Sequence, residues 1–158
     1  MPPPSHEEWI VQLYDRFGRA LYRYAVMVLA DPAAAADAVQ TAFVGLLRKR
    51  APPDSPDRYL RRAVRNECFS ALRRRRRDVL ATAVPILEAV EAGRGCADER
   101  LALERALRLL PPEQREVVHL KVFEGMTFQE IADMTGESIN TVASRYRYAI
   151  DKLRGQLT

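Results

Sequence analysis

Residues 127–153 read TFQEIADMTGESINTVASRYRYAIDKL, and their spacing predicts two short helices around a tight turn. Thr127 with Glu130 has the form of a capping box, Gly136 can take the positive φ that ends a helix, and Ser138 can cap the next one. With Phe128 as position one of a helix-turn-helix, Ala132 falls at five, Gly136 at nine and Val142 at fifteen. Those are the places where the helices cross closely, the chain turns and the core is filled. On the second helix Ile139, Val142, Tyr146, Ala149, Ile150 and Leu153 share one face. The opposite face carries Asn140, Thr141, Ser144 and Tyr148, flanked by Arg145 and Arg147. Such a face suits the DNA major groove: Asn reads adenine, Arg grips guanine or phosphate, and small hydroxyls approach the backbone closely. The helix N-terminus at Ser138 favours phosphate. Asp151 repels phosphate, so contact is expected to fade toward the helix end.

Upstream, ERLALERALRLL is helical until Pro111-Pro112, and EQREVVHLKVFE forms a further helix closed by Gly125. At the other end of the chain, Ser5 and Glu8 form a capping box. Behind it Ile10, Leu13, Tyr14, Phe17, Leu21, Tyr24, Ala25 and Val28 recur at helical spacing. Asp31-Pro32 starts a second helix that runs through Val39, Phe43, Leu46 and Leu47 to Arg48-Lys49-Arg50, where cations suit the helix dipole. The prolines of APPDSP break it, and Ser55-Pro56 opens a third helix into the five arginines 73–77. Beyond it DVLATAVPILEAVEAGRGCADER carries Asp78, Glu88, Glu91, Asp98 and Glu99 against Arg94 and Arg100, and Pro85, Gly93 and Gly95 interrupt it. That composition reads as a mobile linker with at most a short helical piece. The expected fold is all-α: two small helical domains, 1–77 and 98–158, joined by a flexible linker over 78–97.

The formal charge of the 158 residues is only +4. Between Arg48 and Arg77, however, twelve Lys or Arg face Asp54, Asp57 and Glu67, and basicity so concentrated favours a polyanion such as nucleic acid. On the third helix Arg58, Arg61, Arg62, Arg65, Arg73 and Arg76 share a sector about 120° wide, with Leu60, Ala63, Val64, Cys68 and Ala71 on the other side. Phe69 inside that sector and Tyr59 near the helix start offer rings on which unpaired bases can stack. Cys68 and Cys96 are too few for a zinc cluster or a disulfide framework, which fits a reducing cytosol. No apolar run nears the ~18 residues of a membrane span, and MPPPSHEEW lacks the features of a signal peptide. The expected place is the cytoplasm, without membrane insertion.

The first domain with DAVQTAF, then YLRRAVRNECFSALRRRRR, a linker, and LPPEQREVVHLKVFEGMTFQEIADMTGESINTVASRYRYAIDKL together resemble an extracytoplasmic-function sigma factor of bacterial RNA polymerase, over nearly the whole chain. The resemblance implies that the first domain, region 2, holds polymerase and melts the promoter's minus-ten element, while the last, region 4, reads the minus-thirty-five element. Asp37, Val39, Gln40 and Phe43 match the segment that grips the clamp helices of the largest polymerase subunit, with Ala36 and Thr41 where that family usually has Glu. Tyr59-Leu60 and Arg65-Asn66 match the melting helix, Ser70 replaces a frequent Asp, and APPDSPDR is similar to the loop that captures a flipped base. The implied minus-ten contacts are Arg58, Tyr59, Arg62, Arg65, Asn66, Arg73 and Arg76. The implied minus-thirty-five contacts are Ser138, Asn140, Thr141, Ser144, Arg145, Arg147 and Tyr148. Thr141-Val142 and Ser144-Arg145 fit the family's Thr-Val-Lys-Ser-Arg. Ala143 stands for Lys there, and Tyr148 and Ile150 stand where Arg is common, so fewer phosphate contacts are expected.

The partners so implied are core RNA polymerase and promoter DNA, with an anti-sigma protein as a further candidate. No cofactor, metal or small-molecule substrate is expected. The competing class is a helix-turn-helix transcriptional regulator that binds promoter DNA without polymerase. An enzyme is disfavoured because neither His6 nor His119 comes with a carboxylate or cysteine set at metal or nucleophile spacing. A helical scaffold would need no arginine stripe.

Overall fold

The computed structural model describes residues 1–82 and 96–158. The chain divides into two compact units, Met1–Arg74 and Arg75–Thr158, and the described residues are helical with no strand. The first unit holds α1, His6–Leu29, α2, Pro32–Leu47, and most of α3, Pro56–Thr82, whose last eight residues lie past Arg74. The capping box forms: Ser5 Oγ accepts from Glu8 N–H at 3.2 Å and Glu8 Oε2 accepts from Ser5 N–H at 2.8 Å. α1 ends at Ala30, whose φ of 52° is left-handed and whose N–H donates to Val26 O at 2.8 Å. Asp31 follows at once as N-cap of α2, its carboxylate accepting from Ala34 N–H at 3.1 Å. So short a turn folds α2 back along α1, and His6 Nε2 reaches Leu47 O at 3.1 Å, closing the far end of the antiparallel pair.

The pair buries Leu13, Leu21, Tyr24, Ala25 and Val28 of α1 against Ala35, Ala38, Val39, Ala42, Phe43 and Leu46 of α2. Alanines at three of these six α2 positions let the backbones approach closely. Leu60, Val64 and Cys68, the apolar back of α3, are fully buried. Two boundaries differ from the sequence expectation. α2 stops at Leu47 rather than at Arg50, because the chain tightens there, with Lys49 N–H turning back to Leu46 O at 3.2 Å. α3 continues past the arginine run to Thr82; the sequence holds no Gly or Pro before Pro85 to stop it. The linker expectation falls for residues 83–95 outside the described residues.

The second unit holds α4 (Cys96–Leu109), α5 (Pro112–Val118), α6 (Phe128–Thr135) and α7 (Ile139–Leu157). Its core is Ala106, Leu107, Leu110, Val117, Val118, Leu120, Ile131, Ala132, Val142, Ala149 and Leu153. Arg115 is buried within it and donates from Nη1 to Leu110 O at 2.7 Å and Arg108 O at 3.1 Å. These carbonyls lie at the C-terminal end of α4, where a helix has no partners of its own. Burial pushes the guanidinium below its ordinary pKa, against the opposing pull of Glu113. The helix expected to run unbroken to Gly125 instead opens into a π-helical turn over His119–Phe123, with Glu124 N–H bonded to His119 O at 3.1 Å. His119 is buried there, stacked 5.6 Å from Phe123, its Nε2 3.4 Å from Glu124 Oε1. Gly125, at φ 68°, then lets Met126 N–H return to Leu120 O at 3.0 Å.

Candidate nucleic-acid interface

The helix-turn-helix forms as its spacing predicts. Thr127 and Glu130 exchange their capping hydrogen bonds at 3.1 and 3.4 Å. Gly136 sits at φ 75° with its N–H bonded to Ala132 O, and Ala132 and Val142 are buried where the two helices cross. Phe128 meets Tyr146 edge-on at 5.5 Å and carries Lys121 Nζ 4.7 Å over its ring, tying the π turn, α6 and α7 together. On the inner face of α7, Val142, Ala149 and Leu153 are buried and Tyr146 and Ile150 half-buried, while Ile139 is left 44% exposed at the first position.

The outer face of α7 is built residue by residue. Ser138 Oγ accepts from Thr141 N–H at 3.1 Å and lies 2.9 Å from Thr141 Oγ1, so these two hydroxyls are engaged with each other at the helix start. Asn140 is exposed and Ser144 half-buried. Arg145 Nη2 donates to Glu137 Oε1 at 3.3 Å, across the mouth of the turn. Arg147 is exposed, its guanidinium 5.6 Å over the ring of exposed Tyr148. This face therefore presents an amide, one restrained and one open guanidinium, and an aromatic ring beside a helix N-terminus. These are the donor types that read base edges and hold phosphates in a major groove.

On α3, Arg58, Arg62, Asn66, Arg73 and Arg76 are exposed, and Arg61 is half-buried and bonded to Asp57 at 3.1 Å. Arg65 lies 4.7 Å over the Phe69 ring, and Lys49 Nζ lies 4.6 Å over Tyr59. Each ring expected to serve as a stacking platform thus has a cation on one face, an arrangement that concentrates positive charge at aromatic surfaces. Tyr59 is placed by α2, where its hydroxyl would stand 3.3 Å from a Cβ at Gly45. Between α1 and α2 an open groove of about 830 Å³ is lined by Tyr14, Tyr22, Val39, Gln40, Phe43 and Leu47, among others. Val39 and Phe43 form its buried floor, with Phe43 edge-on to Tyr14 at 5.1 Å, while Asp37 and Gln40 are exposed.

Residues 13–78 match the Sigma-70 region 2 family, and residues 100–153 match Sigma-70, region 4. The RNA polymerase sigma-E factor of Streptomyces avermitilis is 34% identical over 146 residues, which cover 87% of this chain and 79% of that protein. The ECF RNA polymerase sigma factor SigE of Mycolicibacterium smegmatis is 30% identical across 98% of this chain and 62% of its own length. This chain belongs to the extracytoplasmic-function sigma factors of the sigma-70 family. Among solved structures, the sigma factor RpoE of Bartonella quintana, in complex with the anti-sigma factor NepR, superposes with a TM-score of 0.73 at 25% identity. That match covers 92% of this chain and 94% of the other.

The region 4 match covers all but the last four residues of α7, and the region 2 match ends at Asp78 within α3. Two features of this sigma factor escape a reading of spacing alone. Glu137 holds Arg145 from eight positions away, outside the three- and four-residue offsets that pair side chains along one helix. Lys49, past the end of α2, covers Tyr59 across a proline-rich loop. The concentration of Lys and Arg ahead of that loop was the only available signal for the second. Among the described residues no group of three or more His, Cys, Asp and Glu is placed to hold a metal ion, and no helix is long and apolar enough to cross a membrane.

Proposed function

We propose that this chain is an alternative sigma factor that binds core RNA polymerase and directs promoter-specific initiation. Its region 4 takes the minus-thirty-five element and its region 2 the minus-ten element. The observation that carries this reading is the occurrence of both sigma-70 regions, in order, on one chain whose α7 presents Asn140, Arg145 and Arg147 outward. Residues 98–158 would lay α7 in the major groove of duplex DNA, while Arg58, Arg62, Arg73 and Arg76 of the 1–77 domain neutralise phosphates of separated strands. Tyr59, Arg65 and Asn66 lie along the same helix, where unpaired bases would be held. Residues 78–97 serve as the tether between the two. The α1–α2 groove, with Gln40 at its surface and Val39 and Phe43 in its floor, together with exposed Asp37 on α2, is the polymerase-facing surface in this reading.

The work done is binding, not bond chemistry. Each base-pair step opened costs roughly 1–2 kcal/mol of stacking, so two small helical units need the contacts that polymerase supplies. A protein inhibitor is a further partner this reading admits, as the Bartonella relative has one. The test is run-off transcription with purified core polymerase on a pool of random promoters. Selective start sites that depend on the chain are expected, and their absence overturns the proposal. Arg145→Ala is expected to weaken the upstream duplex contact by about 1–3 kcal/mol, measured by footprinting titration; an unchanged titration refutes its base-reading role.

A further inference from the structure

Glu137 occupies the turn between α6 and α7, directly before the N-cap Ser138, with its side chain 38% exposed. Its Oε1 accepts from Arg145 Nη2 at 3.3 Å, and Arg145 itself is 25% exposed. The arginine side chain leans toward the helix N-terminus, as helical side chains do, and the carboxylate fixes where it stops. Among the described residues this is the hydrogen bond the guanidinium makes, which leaves donors of its five N–H groups for a second planar acceptor. A half-exposed pair adds little to stability, so its consequence is geometric. A long side chain is held in one orientation at the end of the reading face, and its ordering is completed before DNA arrives. The same carboxylate competes with phosphates for the guanidinium, so a contact that satisfies only charge is favoured less than one that matches the fork. Asn140, Ser144, Arg147 and Tyr148 have no such tether in the turn: Arg147 rests on Tyr148, and Asn140 is exposed.

We infer that Glu137 is a positioning residue that orients Arg145 and so sets base discrimination at the position Arg145 reads; this rests on the promoter-reading role proposed above. The test is selection from a pool of duplexes randomised across the upstream element, with the full chain bound to core polymerase and the retained sequences counted. Wild type, Glu137→Gln, Glu137→Asp, Arg145→Ala and the Glu137→Gln/Arg145→Ala double variant are compared. The wild type is expected to enrich a motif in which one or two positions lose their preference in Arg145→Ala. Glu137→Gln is expected to relax the same positions at least threefold, Glu137→Asp to retain most of the preference, and the double variant to match Arg145→Ala. Glu137→Gln with wild-type preferences, relaxation at other positions only, or an equal further loss on top of Arg145→Ala overturns the inference while the promoter-reading role stands. An Arg145→Ala variant with the wild-type motif overturns it as well. A wild type that enriches no sequence overturns the promoter-reading role and this inference with it.

Discussion

Arg115 carries a positive charge into the core of the second unit because two carbonyls at the end of α4 have no other donor within their helix. Arg115→Leu keeps the volume and strands both acceptors, so a loss of about 2–4 kcal/mol is expected, at ~1–2 for each unsatisfied carbonyl. It would be read as a lower urea midpoint for the second unit, and Arg115→Lys, with no fork, is expected to fall between. The folded-state pKa of this guanidinium is lowered, so the cost of burying its charge is present at all pH below that value and relieved only above it. Arginine stays protonated throughout workable conditions, hence the deficit of the leucine variant is expected to be flat from about pH 6 to 9. Ala30 illustrates the opposite case. It holds a left-handed φ of 52° without being glycine, a conformation that costs roughly 1–2 kcal/mol with a Cβ present. Ala30→Gly is expected to stabilise the first unit by about 0.5–1 kcal/mol, since the extra freedom of the unfolded glycine offsets part of that gain. Denaturant titration decides it, and a destabilised variant would refute the strain. Neither residue was legible from sequence: Ala30 carries no mark of a turn beyond the Asp31-Pro32 after it, and Arg115 reads like any surface cation of an amphipathic helix.

The helix-turn-helix of α6 and α7 is the element most fully written in the chain, because every step of its making is local. Thr127, Glu130, Gly136 and Ser138 each act within four residues, and each adopts the cap or turn expected of it. Gly136 has open space where a Cβ would go. The penalty of Gly136→Ala is therefore conformational alone, about 1–2 kcal/mol, and Gly136→Asn is expected to recover much of it. Ser138→Ala removes the N-cap acceptor and the hydroxyl contact to Thr141, a loss of about 1 kcal/mol, visible in thermal melts of the full chain. The π turn at His119–Phe123 was not legible, since nothing in VVHLKVFE distinguishes an i→i+5 turn from an ordinary one. It forms where tertiary packing seats His119 and Leu120 inward while Lys121 reaches Phe128. The ion pair between Glu137 and Arg145 was hidden for a related reason: it joins a turn to a helix, and helical periodicity carries no information across that junction.

At the scale of the molecule, charge is distributed very unevenly, with a net +4 concealing the basic segment from Arg48 to Arg77. If Arg73 and Arg76 meet phosphates, the salt dependence of promoter binding by the polymerase complex should weaken as they are removed. The slope of log affinity against log salt is expected to change by about 0.7–0.9 for each alanine substitution, and an unchanged slope would place both arginines off the nucleic acid. The division into two helical units was legible through composition, as was the apolar back of α3 at Leu60, Val64 and Cys68. The end of α3 was not, because a run of arginines resembles a terminus although it propagates a helix well. The α1–α2 groove was half legible: periodicity located Val39 and Phe43 in α2, but only the fold reveals that Tyr14 and Leu47 border the same hollow.

Cys68 lies fully enclosed in that apolar back. A thiol so placed is inert until the helix lifts away from its neighbours, which makes it a clock for the first unit. With Cys96 replaced by serine, the rate of alkylation at Cys68 would time each opening event, with and without polymerase, and so measure how firmly the enzyme clasps its guest.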